Sequence, residues 1–194
     1  MWNIPNLLTL LRILLIPVFV GIFYIAIFWA PFVCALVFSV AALTDWLDGY
    51  LARRWQQASP FGAFLDPVAD KLMVAVALVL LVQSDPRAAL ALPAAIIIGR
   101  EIAVSALREW MAEIGARTQV AVSKVAKFKT TAQMIAIILL ISSRDDTDSP
   151  LYGFGMGLLY IAAVLTLWSM LLYLRVAWPS LKSPDRPLNG EEKQ

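Results

Sequence analysis

Four aspartates stand out by their spacing: Asp45 and Asp48 are three residues apart, and Asp66 and Asp70 are four apart. Residues three or four apart share one face of a helix, so each pair directs two carboxylates the same way. The short stretch between the pairs makes their helices antiparallel neighbours and lets the pairs converge. Four clustered carboxylates cannot all stay ionised without a compensating cation. One or two divalent metals would supply it, polarise a phosphoryl group, and hold attacking and leaving oxygens in line. The residues in between suit a nucleoside diphosphate better than a bare ion. Gly49 and Ala52 leave a shallow helix surface that a ligand can approach closely. Arg53, four beyond Gly49, can reach phosphate oxygens in a bidentate manner, and Gly62 permits a sharp bend before the next helix. The plainer alternative makes Gly49 and Ala52 packing residues and the aspartates caps or ion-pair partners.

Histidine is absent from the 194 residues, which excludes a Ser-His-Asp triad, a histidine base and a histidine-ligated zinc or iron. An oxygen-only donor set points to magnesium or manganese. Cys34 is the single cysteine; no intramolecular disulfide can form, and its apolar setting reads as packing.

These side chains are carried by a very apolar chain, 60% hydrophobic and 15% charged, where a soluble domain has about 25% charged residues. A soluble globule is excluded. The uncharged stretch Ile13–Thr44 is 32 residues long, beyond the ~20 that cross a bilayer as a helix, and no cleavable signal peptide is expected at the N-terminus. The apolar segments lack the alternation of barrel strands. The expected class is all-α: a polytopic membrane protein of six transmembrane helices around a polar cavity open to the cytoplasm. The expected helices are Leu7–Trp29, Pro31–Trp55, Asp66–Gln83, Ala88–Ile114, Ala121–Ile141 and Leu151–Trp178, with a turn at Asp85-Pro86. Residues 1–178 form one membrane domain, and 179–194 a polar, flexible cytoplasmic tail.

Fourteen of the sixteen basic residues fall at one end of this arrangement and only Arg87 and Arg144 at the other, so both termini are expected in the cytoplasm. The distal stretch Arg144–Asp148 reads as a solvated acidic loop. Charge-free runs in helices three, four and five reach only 13, 12 and 14 residues. Those helices must therefore carry charges at membrane depth, where charges face a protein interior or a wet cavity. Arg100, Arg108 and Lys127 are the candidates for holding a phosphorylated acceptor; Arg117 and Lys124 fit anionic-lipid contact better. Lys129 is left open, and Arg12 fits either an acceptor phosphate or a side chain snorkelling to the interface. Trp29, Trp55, Trp110 and Trp178 fit an interfacial belt, and Trp168 a lipid-facing or packing position.

Asp45-x2-Asp48-Gly49-x2-Ala52-Arg53-x8-Gly62-x3-Asp66-x3-Asp70 resembles, at every position, the signature of the CDP-alcohol phosphotransferase family. Asn3–Thr9, Arg100–Glu101, Leu107–Trp110 and Lys127–Gln133 further resemble the bacterial branch whose acceptor is sn-glycerol 3-phosphate. The likeness runs from about Asn3 to Arg175. It implies a six-helix fold in the bacterial cytoplasmic membrane, commonly a homodimer, with CDP-diacylglycerol and two divalent cations (Mg2+ or Mn2+) in the cavity. It implies Asp45, Asp48, Asp66 and Asp70 as metal ligands, Asp70 also as general base, and Asp48, Gly49, Ala52, Arg53 and Gly62 around the CDP moiety. The implied reaction moves the phosphatidyl group of CDP-diacylglycerol to sn-glycerol 3-phosphate and releases CMP; no nucleic-acid partner is expected. The rivals are sister enzymes making phosphatidylserine, phosphatidylinositol phosphate or cardiolipin, an intramembrane prenyltransferase, and a divalent-cation transporter built on the same aspartates.

Overall fold

A computed structural model describes residues 4–55, 60–113 and 124–182, with some side chains inside the helices left undescribed. Every regular element among the described residues is an α-helix: α1 Ile4–Phe23, α2 Ala30–Trp55, α3 Pro60–Ser84, α4 Ala88–Glu113, α5 Lys124–Ser142 and α6 Pro150–Lys182. The number and order match the sequence reading, and the turn at Asp85-Pro86 lies between α3 and α4 as expected. Three boundaries differ by four residues or more. α1 stops six residues short of Trp29, and residues 24–29 form a non-helical connection. α3 starts at Pro60 rather than Asp66, because Pro60 already suits a first helical position, where the missing N–H costs nothing. α6 continues beyond Trp178 to Lys182.

Packing pairs close the helices into a ring in the order α1, α3, α4, α6, α5, α2 and back to α1, with α3 also touching α5 and α2 across it. The α3–α5 contact divides the ring into two compartments. One is bounded by α1, α2, α5 and α3; the other by α3, α4, α6 and α5. In the second, α4 and α5 stand opposite each other, and among the described residues their backbones do not pack directly.

A continuous apolar core runs inside the bundle, built from residues that include Phe19, Phe38, Leu78, Leu81, Leu90, Ile97, Ile137, Leu140, Ile141 and Leu159. Phe19 meets Phe38 with ring centroids 6.2 Å apart, an edge-tilted arrangement that aromatic quadrupoles favour. α5 and α6 approach most closely at Gly155, where an added Cβ would lie 3.1 Å from Leu140 Cγ; a small residue is what lets the two backbones meet. Cys34 is buried in this core, as its apolar setting implies.

Ala88–Met111 and Pro150–Arg175 are long and apolar enough to cross a membrane. Both lie mostly outside the protein interior, with Leu92, Ile102, Phe154, Val164 and Trp168 exposed. That outward apolar surface matches a lipid solvent rather than water. Leu7–Phe23, Ala30–Thr44 and Phe128–Ser142 are shorter apolar stretches of the same kind.

Candidate functional site

α2 carries Asp45, Asp48, Gly49, Ala52 and Arg53, and α3 carries Gly62, Asp66 and Asp70. The two helices are packed neighbours, as convergence of the aspartate pairs requires. The side chains of Asp45, Asp48, Ala52, Arg53 and Asp66, together with the surroundings of Gly49 and Gly62, lie outside the described residues. Gly62 does not form a bend ahead of α3: the helix has begun at Pro60, so Gly62 sits in its first turn.

Asp70 is described, and it is half-buried. It lines a narrow cavity of about 10 Å³ together with Arg12 of α1, Phe38, Ala41 and Ala42 of α2, Met73 and Val74 of α3, and Met134 of α5. That volume is about the room of one water. Arg12 is 1% exposed, and Thr9, one turn earlier, is fully buried. The guanidinium therefore does not snorkel to an interface; it belongs to the floor of the first compartment, on the same cavity as Asp70. Among the described residues no three His, Cys, Asp or Glu side chains come together, Asp70 being the member of the quartet whose side chain is described.

The second compartment holds a network of charges. Arg100 Nη1 donates to Glu101 Oε1 at 2.8 Å, and Lys129 Nζ of α5 donates to the same oxygen at 3.1 Å. Arg100 Nη2 donates to Ser169 Oγ of α6 at 2.8 Å, and that hydroxyl donates to the Thr166 carbonyl. The Arg100 guanidinium also faces the Tyr173 ring, while its Nε is buried and makes no hydrogen bond. From α3, Lys71 Nζ donates to Ser105 Oγ, which donates to the Glu101 carbonyl at 2.7 Å. Gln133, one turn beyond Lys129, is buried as well. The side chains of Arg100 and Lys129 are 11% and 7% exposed. Arg100 of α4 and Lys129 of α5 thus face the protein interior, as short charge-free runs require.

Of the expected acceptor residues, Arg100 is placed in this network; the side chains of Arg108 on α4 and Lys127 on α5 lie outside the described residues, as does Arg117. The sequence leaves Lys129 open and assigns Glu101 no role in the site. Ser169 and Tyr173 it does not single out. One signal for Lys129 was available: Lys129 and Gln133 stand four apart on α5, which puts two polar groups on one face.

The distal end is built differently. Asp85 is buried, and Arg87 binds it through Nε at 2.7 Å and Nη2 at 2.8 Å. Tyr152 of α6 donates its hydroxyl to Asp85 Oδ2, the oxygen that also accepts from Arg87 Nη2. The Arg87 hydrogen bonds hold the Asp85 carboxyl at about 2, against burial, which pushes it up; the Tyr152 hydrogen bond helps to lower it. Arg87 is correspondingly raised above its ordinary value, chiefly by its hydrogen bonds to Asp85. Arg144 departs from the solvated loop expected of residues 144–148. Its side chain is 8% exposed; its Nη1 donates to the Phe23 carbonyl at 2.9 Å, and its guanidinium stacks 4.0 Å from the Phe23 ring centroid. A cavity of about 500 Å³ opens beside it, lined by the apolar connection Tyr24–Phe28 with Gln83 and Ser84.

Residues 2–168 match the CDP-alcohol phosphatidyltransferase family. Over 175 residues the chain is 58% identical to the CDP-diacylglycerol–glycerol-3-phosphate 3-phosphatidyltransferase of Sodalis glossinidius, covering 90% of this chain and 94% of that protein. It is 57% identical to the protein of the same name in Pectobacterium atrosepticum, over 94% of this chain and 99% of the relative. A third, from Pseudomonas fluorescens, is 58% identical over 95% and 94% of the two chains.

Proposed function

The chain belongs to the CDP-alcohol phosphatidyltransferase family, and from that premise we propose that it transfers the phosphatidyl group of CDP-diacylglycerol to sn-glycerol 3-phosphate, giving phosphatidylglycerophosphate and CMP. The observation that carries this choice of acceptor is the near end-to-end likeness to relatives named for that reaction. The buried cations of the second compartment support it, because a phosphorylated acceptor needs fixed positive charge that serine or free inositol does not.

Asp45, Asp48, Asp66 and Asp70 are the ligands of two divalent cations, Mg2+ or Mn2+. The donor set fits: it is oxygen only, and it is carried on two packed helices, which suits hard ions. When bound, the cations neutralise the diphosphate and polarise the reacting phosphoryl group. Gly49 and Ala52 give the cytidine moiety close access to α2, Arg53 holds phosphate oxygens, and Asp48 and Gly62 complete the CDP site. Asp70 accepts the proton of the 1-hydroxyl of glycerol 3-phosphate as its oxygen bonds to the phosphorus bearing diacylglycerol. The bond from that phosphorus to the bridging oxygen breaks, and CMP leaves with the oxygen and the electron pair. Arg100, Arg108 and Lys127 hold the acceptor's own phosphate, joined by Lys129.

The protein is a membrane protein. Its six helices cross the cytoplasmic membrane with both termini inside, the two compartments open to the cytoplasm, and the chain works as a homodimer. The distribution of basic residues supports that orientation.

An acceptor panel tests the reading. Detergent-solubilised protein with CDP-diacylglycerol should release CMP with sn-glycerol 3-phosphate and not with serine, inositol phosphate or phosphatidylglycerol. Release with one of the other acceptors in its place moves the protein to a sister reaction. Metal uptake into liposomes without CMP release would make it a transporter.

A further inference from the structure

Arg100 and Glu101 are consecutive residues on α4, and consecutive helical residues point about 100° apart. Their contact therefore requires both side chains to turn into one space, the gap between α4 and α5 that no direct backbone packing fills among the described residues. Lys129 enters that gap from the opposite wall and ends on the same oxygen, Glu101 Oε1. Two mostly buried cations left without that carboxylate would repel each other and swing apart. Ser169 holds Arg100 from the α6 side, and Ser105 ties the Glu101 turn of α4 to Lys71 of α3. Arg100 and the main chain at Glu101 are thus each held, and among the described residues the carboxylate neutralises only one of the two charges that converge on it. The surplus positive charge at fixed spacing is what a phosphate recognises through charge-assisted hydrogen bonds.

We propose that Glu101 is the positioning residue of the acceptor site: it draws Arg100 and Lys129 together across the α4–α5 gap and holds them at the spacing the acceptor's phosphate needs. The inference rests on the reading of this compartment as the acceptor-phosphate site. Holding two long, flexible side chains in place beforehand removes an ordering cost that binding would otherwise bear. The role acts through the cations and bears on acceptor affinity, leaving the nucleotide lipid and the chemical step alone.

The test is steady-state CMP release by the solubilised full chain, with each substrate varied in turn, for Glu101→Gln, Glu101→Asp, Lys129→Met, Arg100→Met and the double variant E101Q/K129M. Glu101→Gln should raise KM for sn-glycerol 3-phosphate about 10-fold or more, while kcat and KM for CDP-diacylglycerol stay within about 2- to 3-fold. Glu101→Asp keeps the charge but is one methylene shorter, and should fall between the wild type and Glu101→Gln. In the Lys129→Met background, adding Glu101→Gln should raise KM by no more than about 2-fold, since only Arg100, which Ser169 also holds, is left for it to position. An unchanged acceptor KM in Glu101→Gln, with both cation variants raised, overturns the positioning role and leaves the acceptor site standing. A lowered KM also overturns it, because the carboxylate would then be competing with the phosphate. Unchanged acceptor KM in both Arg100→Met and Lys129→Met instead overturns the acceptor site itself. If Glu101→Gln does not fold, Glu101→Asp and the two cation variants still decide, a wild-type KM in Glu101→Asp counting against the proposal.

Discussion

The two ends of the bundle handle buried charge in opposite ways. At the distal end each charge is answered close by: Asp85 by Arg87 two residues on and by Tyr152, Arg144 by the Phe23 carbonyl and ring and by Asp145. In the compartment bounded by α3, α4, α5 and α6, two cations from different helices share one carboxylate oxygen. A balanced, fully hydrogen-bonded pair is a fastening: losing the half-exposed Arg87 would leave Asp85 buried without its counter-charge. An unbalanced cluster stabilises the fold poorly, and its surplus charge is available to a ligand of opposite sign. The contrast separates structural from functional ion pairs without reference to distance from a known site.

The contrast breaks or sharpens under a graded set of changes. The largest effect is expected from excess EDTA, which should abolish CMP release, with activity restored by Mg2+ or Mn2+; full turnover in the chelator would remove the metal role from the aspartates. Next, Asp70→Asn should cut turnover about 100-fold or more while CDP-diacylglycerol binding remains measurable in an equilibrium assay. Normal turnover would take the base assignment away from Asp70.

Arg108→Ala and Lys127→Ala should each weaken acceptor binding about 10- to 150-fold, the worth of a charge-assisted hydrogen bond of roughly 1.5–3 kcal/mol. KM for CDP-diacylglycerol should hardly move. Equal loss for both substrates would mean a defect of folding or of the metal site.

The smallest effect is expected at the distal end, where Asp85→Asn should lower Tm by roughly 2–4 °C and leave both KM values alone. Its acid response should also differ from the wild type. The Asp85 carboxyl sits at about 2 in the folded chain and at the ordinary 3.8 when unfolded. Its contribution to stability is therefore fully present above about pH 4 and is lost as pH falls toward 2. Wild-type Tm should drop more across that window than Tm of the variant, and parallel curves would show that the Asp85 pair is not a fastening.

Local periodicity was enough to read six helices, the packed pair α2 and α3 beneath the aspartates, and a polar interior in α4 and α5. Those features follow from apolar run length, from spacings of three and four residues, and from the cost of charge in lipid, all of which are short-range properties of a chain. Helix ends and side-chain partners were not readable in that way. α1 was expected to run on to Trp29, yet it ends at Phe23, whose carbonyl is taken by Arg144 from 121 residues away; no local pattern announces a cap of that kind. Arg12 could equally have snorkelled, and only the closing of α2 and α3 over α1 made it a buried neighbour of Asp70. Lys129 and Glu101 became partners because the ring sets α4 opposite α5 at a distance that, among the described residues, long side chains bridge and backbones do not. A helix fixes which residues share a face, but its neighbours decide which face turns inward and what waits there.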